Sequence, residues 1–143
     1  MNLATNIDLR RFGEKAFASI EKNYSCGYRI AYLIARIMKN DSYYRFRFYK
    51  AFRKYEAAKN LLSKIIQYRK YSKYGHIIKA QIICKHIGVG FYFEHGNIVI
   101  NKEAYLGDDV LLISNNCISG GNNGAPSIGN NVKIGWRERY WRC

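Results

Sequence analysis

Aliphatic and aromatic residues recur at about every sixth position through the second half of the chain. The series is Ile87, Phe93, Ile100, Leu106, Leu112, Ile118, Ile128 and Ile134. One extra residue precedes Ile100, and a longer excursion through residues 119–127 precedes Ile128. A strand has a two-residue period and a helix a 3.6-residue period, so neither element alone explains six. Hexapeptide repetition is typical of a parallel β-helix, in which short strands turn corners and successive coils stack.

Small residues accompany this six-residue series. Glycine often follows it, at Gly88, Gly107, Gly129 and Gly135, and small or branched residues lie two positions before it, at Ala104, Val110 and Val132. Because glycine tolerates backbone conformations that side chains exclude, we expect these glycines to form the corners. We also expect each residue of the series to be buried against its equivalent in the next coil.

Residues 1–76 have helical spacing instead. One apolar stripe consists of Ile30, Leu33, Ile34, Ile37 and Met38. A second consists of Tyr44, Phe48, Ala51, Phe52, Tyr55, Ala58, Leu62, Ile65 and Ile66. Between them, residues 40–42 (Asn-Asp-Ser) indicate a helix end followed by an N-cap. The predicted fold class is α+β, with a helical region at 1–76, hexapeptide repeats at 77–135 and an off-pattern tail at 136–143.

The composition indicates a folded chain without a membrane anchor. The 143 residues have room for one domain or two halves, and 48% of them are hydrophobic. The longest apolar segment, 28–38, is short and contains Arg29 and Arg36, so we expect no transmembrane segment. Acidic residues near the N-terminus and the lack of an apolar signal core predict a cytoplasmic protein. The four cysteines lie far apart without a CxxC motif, so we expect free thiols and no bound metal.

Positive charge is concentrated in the helical region. The formal net charge is +14, and residues 43–74 contain ten Lys or Arg and one acid, Glu56. A basic surface attracts nucleic acid, acidic lipid or a phosphorylated cofactor. The segment 43–55 (YYRFRFYKAFRKY) has the composition of a base-stacking platform, but its aromatic residues share one helical face. An amphipathic helix is the simpler interpretation, and it predicts no nucleic-acid partner.

Four segments together resemble one enzyme family. They are GFYFEHGNIVIN at 90–101, AYLG at 104–107, ISGG at 118–121 and GAPSIGNNVKIG at 124–135. Over about residues 41–135 the chain resembles the serine acetyltransferases, most closely the short members found in capsule and exopolysaccharide gene clusters. The resemblance implies a left-handed parallel β-helix behind a helical N-terminal region. It also implies acetyl-CoA as donor, a small hydroxyl acceptor, and a cytosolic enzyme that is usually a homotrimer.

The resemblance also implies roles for individual residues. His95 matches the general base, and a neutral imidazole suits this role because its pKa lies near the operating pH. Glu94 matches the acid that helps to hold the acceptor, and Asp41 is a further match for an acceptor-binding acid. Gly120 and Gly121 match the glycine pair beside the cofactor. Without the resemblance, His95 would be read as a surface histidine, and the Asn-rich segment 115–124 as a surface excursion or the border of a site.

Two departures from the family pattern concern the site. The acid that pairs with the base histidine falls at Ala80, and Glu94 is a poor substitute because adjacent strand residues point to opposite faces. The family's second histidine falls at Ala125. This favours a sugar hydroxyl in polysaccharide biosynthesis over serine as acceptor, with both kept open.

The last eight residues, WRERYWRC, leave the hexapeptide pattern. One permitted coding of this tail, read in a shifted frame, gives hexapeptide-like sequence. We therefore hypothesise an incomplete β-helix cut short by a frameshift, which the coding DNA beyond the Gly135 codon tests. Two alternatives to an active enzyme follow, an inactive truncated relative and a basic module that binds a polyanion or a membrane surface.

Overall fold

The computed structural model of the protein describes residues 3–95, 97–113, 115–120, 124, 126–135 and 139–140. Within them, four helices are followed by ten short strands, which pair in parallel in three sheets. The chain divides into two compact units, Met1–Ile78 and Lys79–Cys143. The predicted α+β layout, with helices first and strands after them, is confirmed.

The helical unit contains α1 (Leu3–Tyr24), α2 (Tyr28–Ile37), α3 (Asp41–Glu56) and α4 (Leu61–Ile78). The predicted cap before α3 is confirmed, since Asn40 Oδ1 accepts a hydrogen bond from the Ser42 N–H at 2.9 Å. The second apolar stripe spans α3 and α4 rather than one helix. Asn60 precedes α4 and caps its N-terminus, because its Oδ1 accepts a hydrogen bond from the Ser63 N–H at 2.8 Å.

Aromatic rings fill the core of the helical unit. Phe12 of α1 stacks on Tyr49 of α3 with ring centroids 4.3 Å apart, and Phe48 lies 4.9 Å from Tyr71 of α4. Phe46 and Phe52, from the same basic segment, are also buried. The four α3 rings Phe46, Phe48, Tyr49 and Phe52 are therefore not available as base-stacking platforms, in agreement with the amphipathic-helix interpretation.

The apolar stripe of α2 is helical, as predicted, but most of it faces outward. Ile37 is 79% exposed and Ile30 54% exposed, whereas Ala31 and Ala35 are fully buried. Small side chains on the inner face let α2 approach the aromatic core, where the Tyr28 and Tyr32 rings contact Phe17 edge-on at 5.7 Å. The most apolar face of α2 is thus not the face that packs.

The second unit is built from strands of two or three residues. They are β1 (Ala80–Ile82), β2 (His86–Ile87), β3 (Tyr92–Phe93), β4 (Ile98–Ile100), β5 (Tyr105–Leu106), β6 (Leu111–Leu112), β7 (Cys117–Ile118), β8 (Ser127–Ile128), β9 (Lys133–Ile134) and β10 (Arg139–Tyr140). The first sheet has the order β1-β4-β7-β10, the second β2-β5-β8 and the third β3-β6-β9. The chain therefore visits the three sheets in turn, and we call one such passage a circuit.

The register of the sheets explains the six-residue series. Ala80 pairs with Ile98, 18 residues on, which is three sixes. The extra residue before Ile100 increases the separation of the next paired residues, His86 and Tyr105, to 19 positions. The excursion before Ile128 lengthens it to 22, from Tyr105 to Ser127. Every member of the series is buried, with at most 6% exposed, as expected for an interior filled by equivalent residues of successive circuits.

The expectation that the tail adds no strand is wrong. Residues 139 and 140 form β10, which pairs in parallel with β7, and Tyr140 stands opposite Ile118. Tyr140 follows Ile134 by six residues, so the tail keeps the spacing although its composition differs. The spacing, rather than an aliphatic side chain, is what the strand requires at this position.

The glycines that follow the six-residue series do not supply the special backbone conformation at the corners, because Gly88, Gly107 and Gly129 do not have positive φ. Among the described residues, two sets with positive φ recur at the circuit spacing, one of Lys79, Asn97 and Asn115, the other of Gly90, Asp109 and Asn131. These connections precede strands of the first and third sheets, and Asn, Asp and Gly are the residues that most readily adopt this conformation. Gly88 instead allows close approach, because a Cβ there would overlap the backbone carbonyl of Gly107 in the next circuit.

Replacing Gly88 with alanine is therefore expected to destabilise the strand unit by about 1–3 kcal/mol, as overpacking against backbone does. Gly129 is the matched control. It is the equivalent residue two circuits on, it is exposed, and a Cβ there would meet no described atom within 4 Å. Urea unfolding of the two variants should separate them by at least 1 kcal/mol. Equal stabilities would contradict the close stacking of circuits at this edge.

Candidate active site

The two strongest site candidates leave the end of one short strand. Glu94 and His95 directly follow β3, and the Glu94 N–H donates to the Leu112 carbonyl at 3.0 Å. This bond continues the pairing of β3 with β6 by one residue, so Glu94 is held in line with the sheet. Glu94 is half-buried, whereas His95 is exposed. His95 is therefore the first side chain beyond the paired strand, where a molecule from solvent can reach its imidazole.

No described side chain orients this imidazole by a hydrogen bond or an ion pair. The position that the family pattern gives to an orienting acid is Ala80, a buried residue of β1 opposite Ile98. A methyl group cannot accept a hydrogen bond. Ala80 therefore cannot orient the imidazole as an acid would.

Three asparagines fix the connections around this point. The Asn97 Nδ2 donates to Asn115 Oδ1 at 2.8 Å, which joins equivalent positions of successive circuits. Asn116 is 1% exposed, and its Nδ2 donates to the Ile113 backbone carbonyl at 3.0 Å. The backbone carbonyl of Asn116 accepts from the Val99 N–H. The start of the Asn-rich segment is therefore part of the stacked structure and not a free excursion. Sequence reasoning left this open, although Asn at the circuit spacing of 18 was a usable signal.

The predicted cofactor-side glycines follow β7. Gly120 is half-buried, and a Cβ on it would lie 3.2 Å from Asn101 Nδ2 and 3.4 Å from the Gly124 carbonyl oxygen. Those distances are tighter than ordinary side-chain contacts, so this backbone is closely approached from both sides. Gly121 and Ala125, the other two positions named by the resemblance, lie outside the described residues.

Asp41 has a structural explanation in the helical unit. It is the first residue of α3, where a negative charge favours the helix N-terminus. Its Oδ2 lies 2.7 Å from Nε of Arg45, whose side chain is only 7% exposed. The carboxylate therefore neutralises a nearly buried guanidinium one turn further on. The structure brings Glu94 and His95 together at the end of β3, and it places Asp41 in a local ion pair.

The described residues contain no set of three His, Cys, Asp or Glu side chains arranged to hold a metal ion. None of the described helices is both long and apolar enough to span a bilayer. Comparison with protein-family models, with curated proteins and with solved structures found no match to this chain.

Proposed function

We propose that the protein is an acetyl-CoA-dependent O-acetyltransferase of the serine acetyltransferase kind. The strand unit would be a left-handed parallel β-helix of hexapeptide repeats, and the enzyme a cytoplasmic homotrimer. The acceptor is a hydroxyl of a sugar in polysaccharide biosynthesis or, less favoured, of serine. The observation that supports this most is the three-sheet parallel circuit with its buried six-residue series, because it carries His95 at the end of one of its strands.

His95 would act as the general base. Its neutral imidazole takes the proton of the acceptor hydroxyl while that oxygen attacks the thioester carbonyl carbon. A carbon–oxygen bond forms, the carbon–sulfur bond breaks, and the proton held on His95 passes to the departing thiolate. The products are an acetyl ester and free CoA, and His95 returns to its neutral form. An exposed imidazole at the end of a strand is suited to meet both molecules.

Neighbouring residues would hold the two substrates. Glu94 offers a half-buried carboxylate beside His95, which can accept hydrogen bonds from acceptor hydroxyl groups. Gly120 and Gly121 would let the pantetheine chain approach the backbone after β7.

The alanine at position 80 bears on the rate. Without an acid to orient His95, the base samples several orientations, and position contributes strongly to such barriers. We therefore expect slow turnover. Replacing Ala80 with aspartate would test this through the pH profile of the rate as well as through the rate itself.

The proposal is tested with the purified full chain, acetyl-CoA and a panel of hexoses, hexosamines and L-serine. We expect CoA thiol release that depends on a sugar acceptor, followed with a thiol-reactive dye, and an acetylated sugar in the product mixture. Thiol release that is unchanged without any acceptor would indicate hydrolysis only. No release with any acceptor, from protein that unfolds cooperatively, would contradict the proposal.

A further inference from the structure

A basic cleft lies between α3 and α4 of the helical unit. It encloses about 250 Å³. Four cationic side chains line it, together with an amide, a phenol and one alanine. The lining residues are Arg47, Lys50, Ala51, Lys54, Gln67, Lys70 and Tyr74. We call these residues the basic cleft.

The positions of these residues follow from helix geometry. Arg47, Lys50 and Lys54 stand three and seven residues apart on α3, so they follow one another along a single face. Gln67, Lys70 and Tyr74 have the same spacing on α4. Two facing rows of polar side chains, three from each helix, therefore converge on one space.

Among the described residues, the lining of the cleft includes no acid that would neutralise this charge. The lining contains no Asp or Glu, and Glu56 is the one acid between positions 41 and 94. Glu56 is held elsewhere, since its Oε2 accepts from Arg53 Nη1 at 2.9 Å. Burial and then the positive charges of Lys50, Lys70 and Arg47 lower the pKa of Lys54. Like charges thus crowd each other here, which costs stability unless an anion relieves it.

One cation of the cleft is held in a fixed direction. The Arg47 guanidinium carbon lies 5.4 Å from the ring centroid of Tyr74 and 5.8 Å from that of Tyr43. Such contacts restrain a guanidinium, and Arg47 also forms a side-chain hydrogen bond with Tyr32. A guanidinium has five N–H donors, so others remain for an anion. A guanidinium that is already oriented loses less conformational freedom when it binds an oxyanion.

We propose that the basic cleft binds the diphosphate group of a small phosphorylated ligand. Four cations match the charge of a diphosphate better than that of a single phosphate, and charge-assisted hydrogen bonds from Arg and Lys are the strong ones for phosphate oxygens. The size of the cleft suits a compact anion. A nucleic-acid strand would instead need stacking surfaces, and the neighbouring rings Phe46, Phe48, Tyr49 and Phe52 are buried.

The test is calorimetric titration of the full chain with inorganic pyrophosphate, a nucleoside diphosphate and orthophosphate at fixed salt. We expect pyrophosphate to bind at least roughly ten-fold more tightly than orthophosphate, as one additional charge-assisted contact implies. Tighter binding of the nucleoside diphosphate would identify an ester as the source of the group. Equal, weak binding of all three would overturn the proposal.

Matched variants separate the cleft from general positive charge. Lys54→Gln should weaken pyrophosphate binding roughly ten-fold or more. Lys64→Gln removes the same charge from an exposed residue of α4 outside the lining, and it should change binding less than two-fold. Equal losses in both variants, or a single-stranded oligonucleotide that displaces pyrophosphate equally well from both, would overturn the proposal. If Lys54→Gln does not fold, Lys50→Gln tests the same contact.

Discussion

Replacing His95 with alanine is expected to lower acetyl transfer by about 10²–10⁴-fold, the usual contribution of a general base. His95 is placed to act as this base, because it is the exposed side chain that follows the last paired residue of β3. No described group donates to or accepts from its imidazole, so the substitution removes no hydrogen bond with the described residues. The free energy of unfolding should therefore stay within about 0.5 kcal/mol of the parent value.

His86→Ala is the matched control for that result. His86 is also exposed and lies in the same unit, but it belongs to a strand, β2, where its ring stacks on Tyr105 with centroids 4.6 Å apart. It should keep the rate within about three-fold while it loses a modest stacking contribution to stability. The rate with acetyl-CoA and the unfolding midpoint are both measured for each variant. If His95→Ala retained the parent rate, another residue would have to accept the proton.

The strand unit could be predicted from the sequence because its interior imposes a period on the chain. A residue that must stack on its equivalent in the next circuit has to be apolar, and Ile87, Leu106 and Ile128 show that pattern directly. Insertions are visible as breaks in the same count. The parallel register of all three sheets follows from the spacing alone. That the strand unit is a β-helix, and that its sense is left-handed, stay predictions.

The helical unit was harder to predict because helical spacing does not identify the packed face. The exposed stripe of α2 is more apolar than its buried face, and only the aromatic residues of α1 and α3 explain why Ala31 and Ala35 point inward. The predicted backbone conformation of the corner glycines was wrong for a similar reason. Gly88 looks like a residue chosen for its φ, yet its role is to let the backbone of another circuit approach. Contacts with distant segments decide both cases.

The candidate site could be predicted only in part. The position of Glu94 and His95 after a strand follows from the repeat, whereas the local ion pair of Asp41 with Arg45 needs only the helix boundary to be recognised. Ion pairs between distant segments leave no such signal. Asp8 and Arg53 are 45 residues apart, and nothing in their surroundings in the sequence indicates that they meet.

Asp8 nevertheless forms the centre of the strongest polar contact in the helical unit. It is 2% exposed, and its Oδ2 accepts from Tyr49 Oη at 2.6 Å and from Arg53 Nε at 2.8 Å. Burial raises the pKa of Tyr49 well above its ordinary value, so the hydroxyl stays protonated and donates. Burial by itself lowers the pKa of Arg53, but Tyr49, Asp8 and Glu56 raise it above its usual range. The three side chains thus join α1 to α3 through one carboxylate.

Replacing Asp8 with alanine is expected to destabilise the protein by about 3 kcal/mol, because a guanidinium that is 11% exposed then loses its buried carboxylate and keeps the more exposed one of Glu56. Glu14→Ala is the matched control. It breaks an ion pair with Arg10 in the same helix at the same 2.8 Å distance, but the two side chains are 51% and 81% exposed. That variant should lose less than about 1 kcal/mol. Both free energies of unfolding are to be measured by urea unfolding, followed through the helical circular dichroism signal at 222 nm.

A double substitution distinguishes the stranded charge from lost packing. If the cost of Asp8→Ala comes from a buried cation that has lost its buried carboxylate, then Asp8→Leu combined with Arg53→Met should be more stable than Asp8→Ala alone, since apolar replacement of both partners avoids the desolvation cost. Recovery of at least about 1 kcal/mol would support this cause. If the double variant is as unstable as Asp8→Ala or worse, the contribution lies in the hydrogen-bonded geometry around Tyr49, and the electrostatic explanation is wrong.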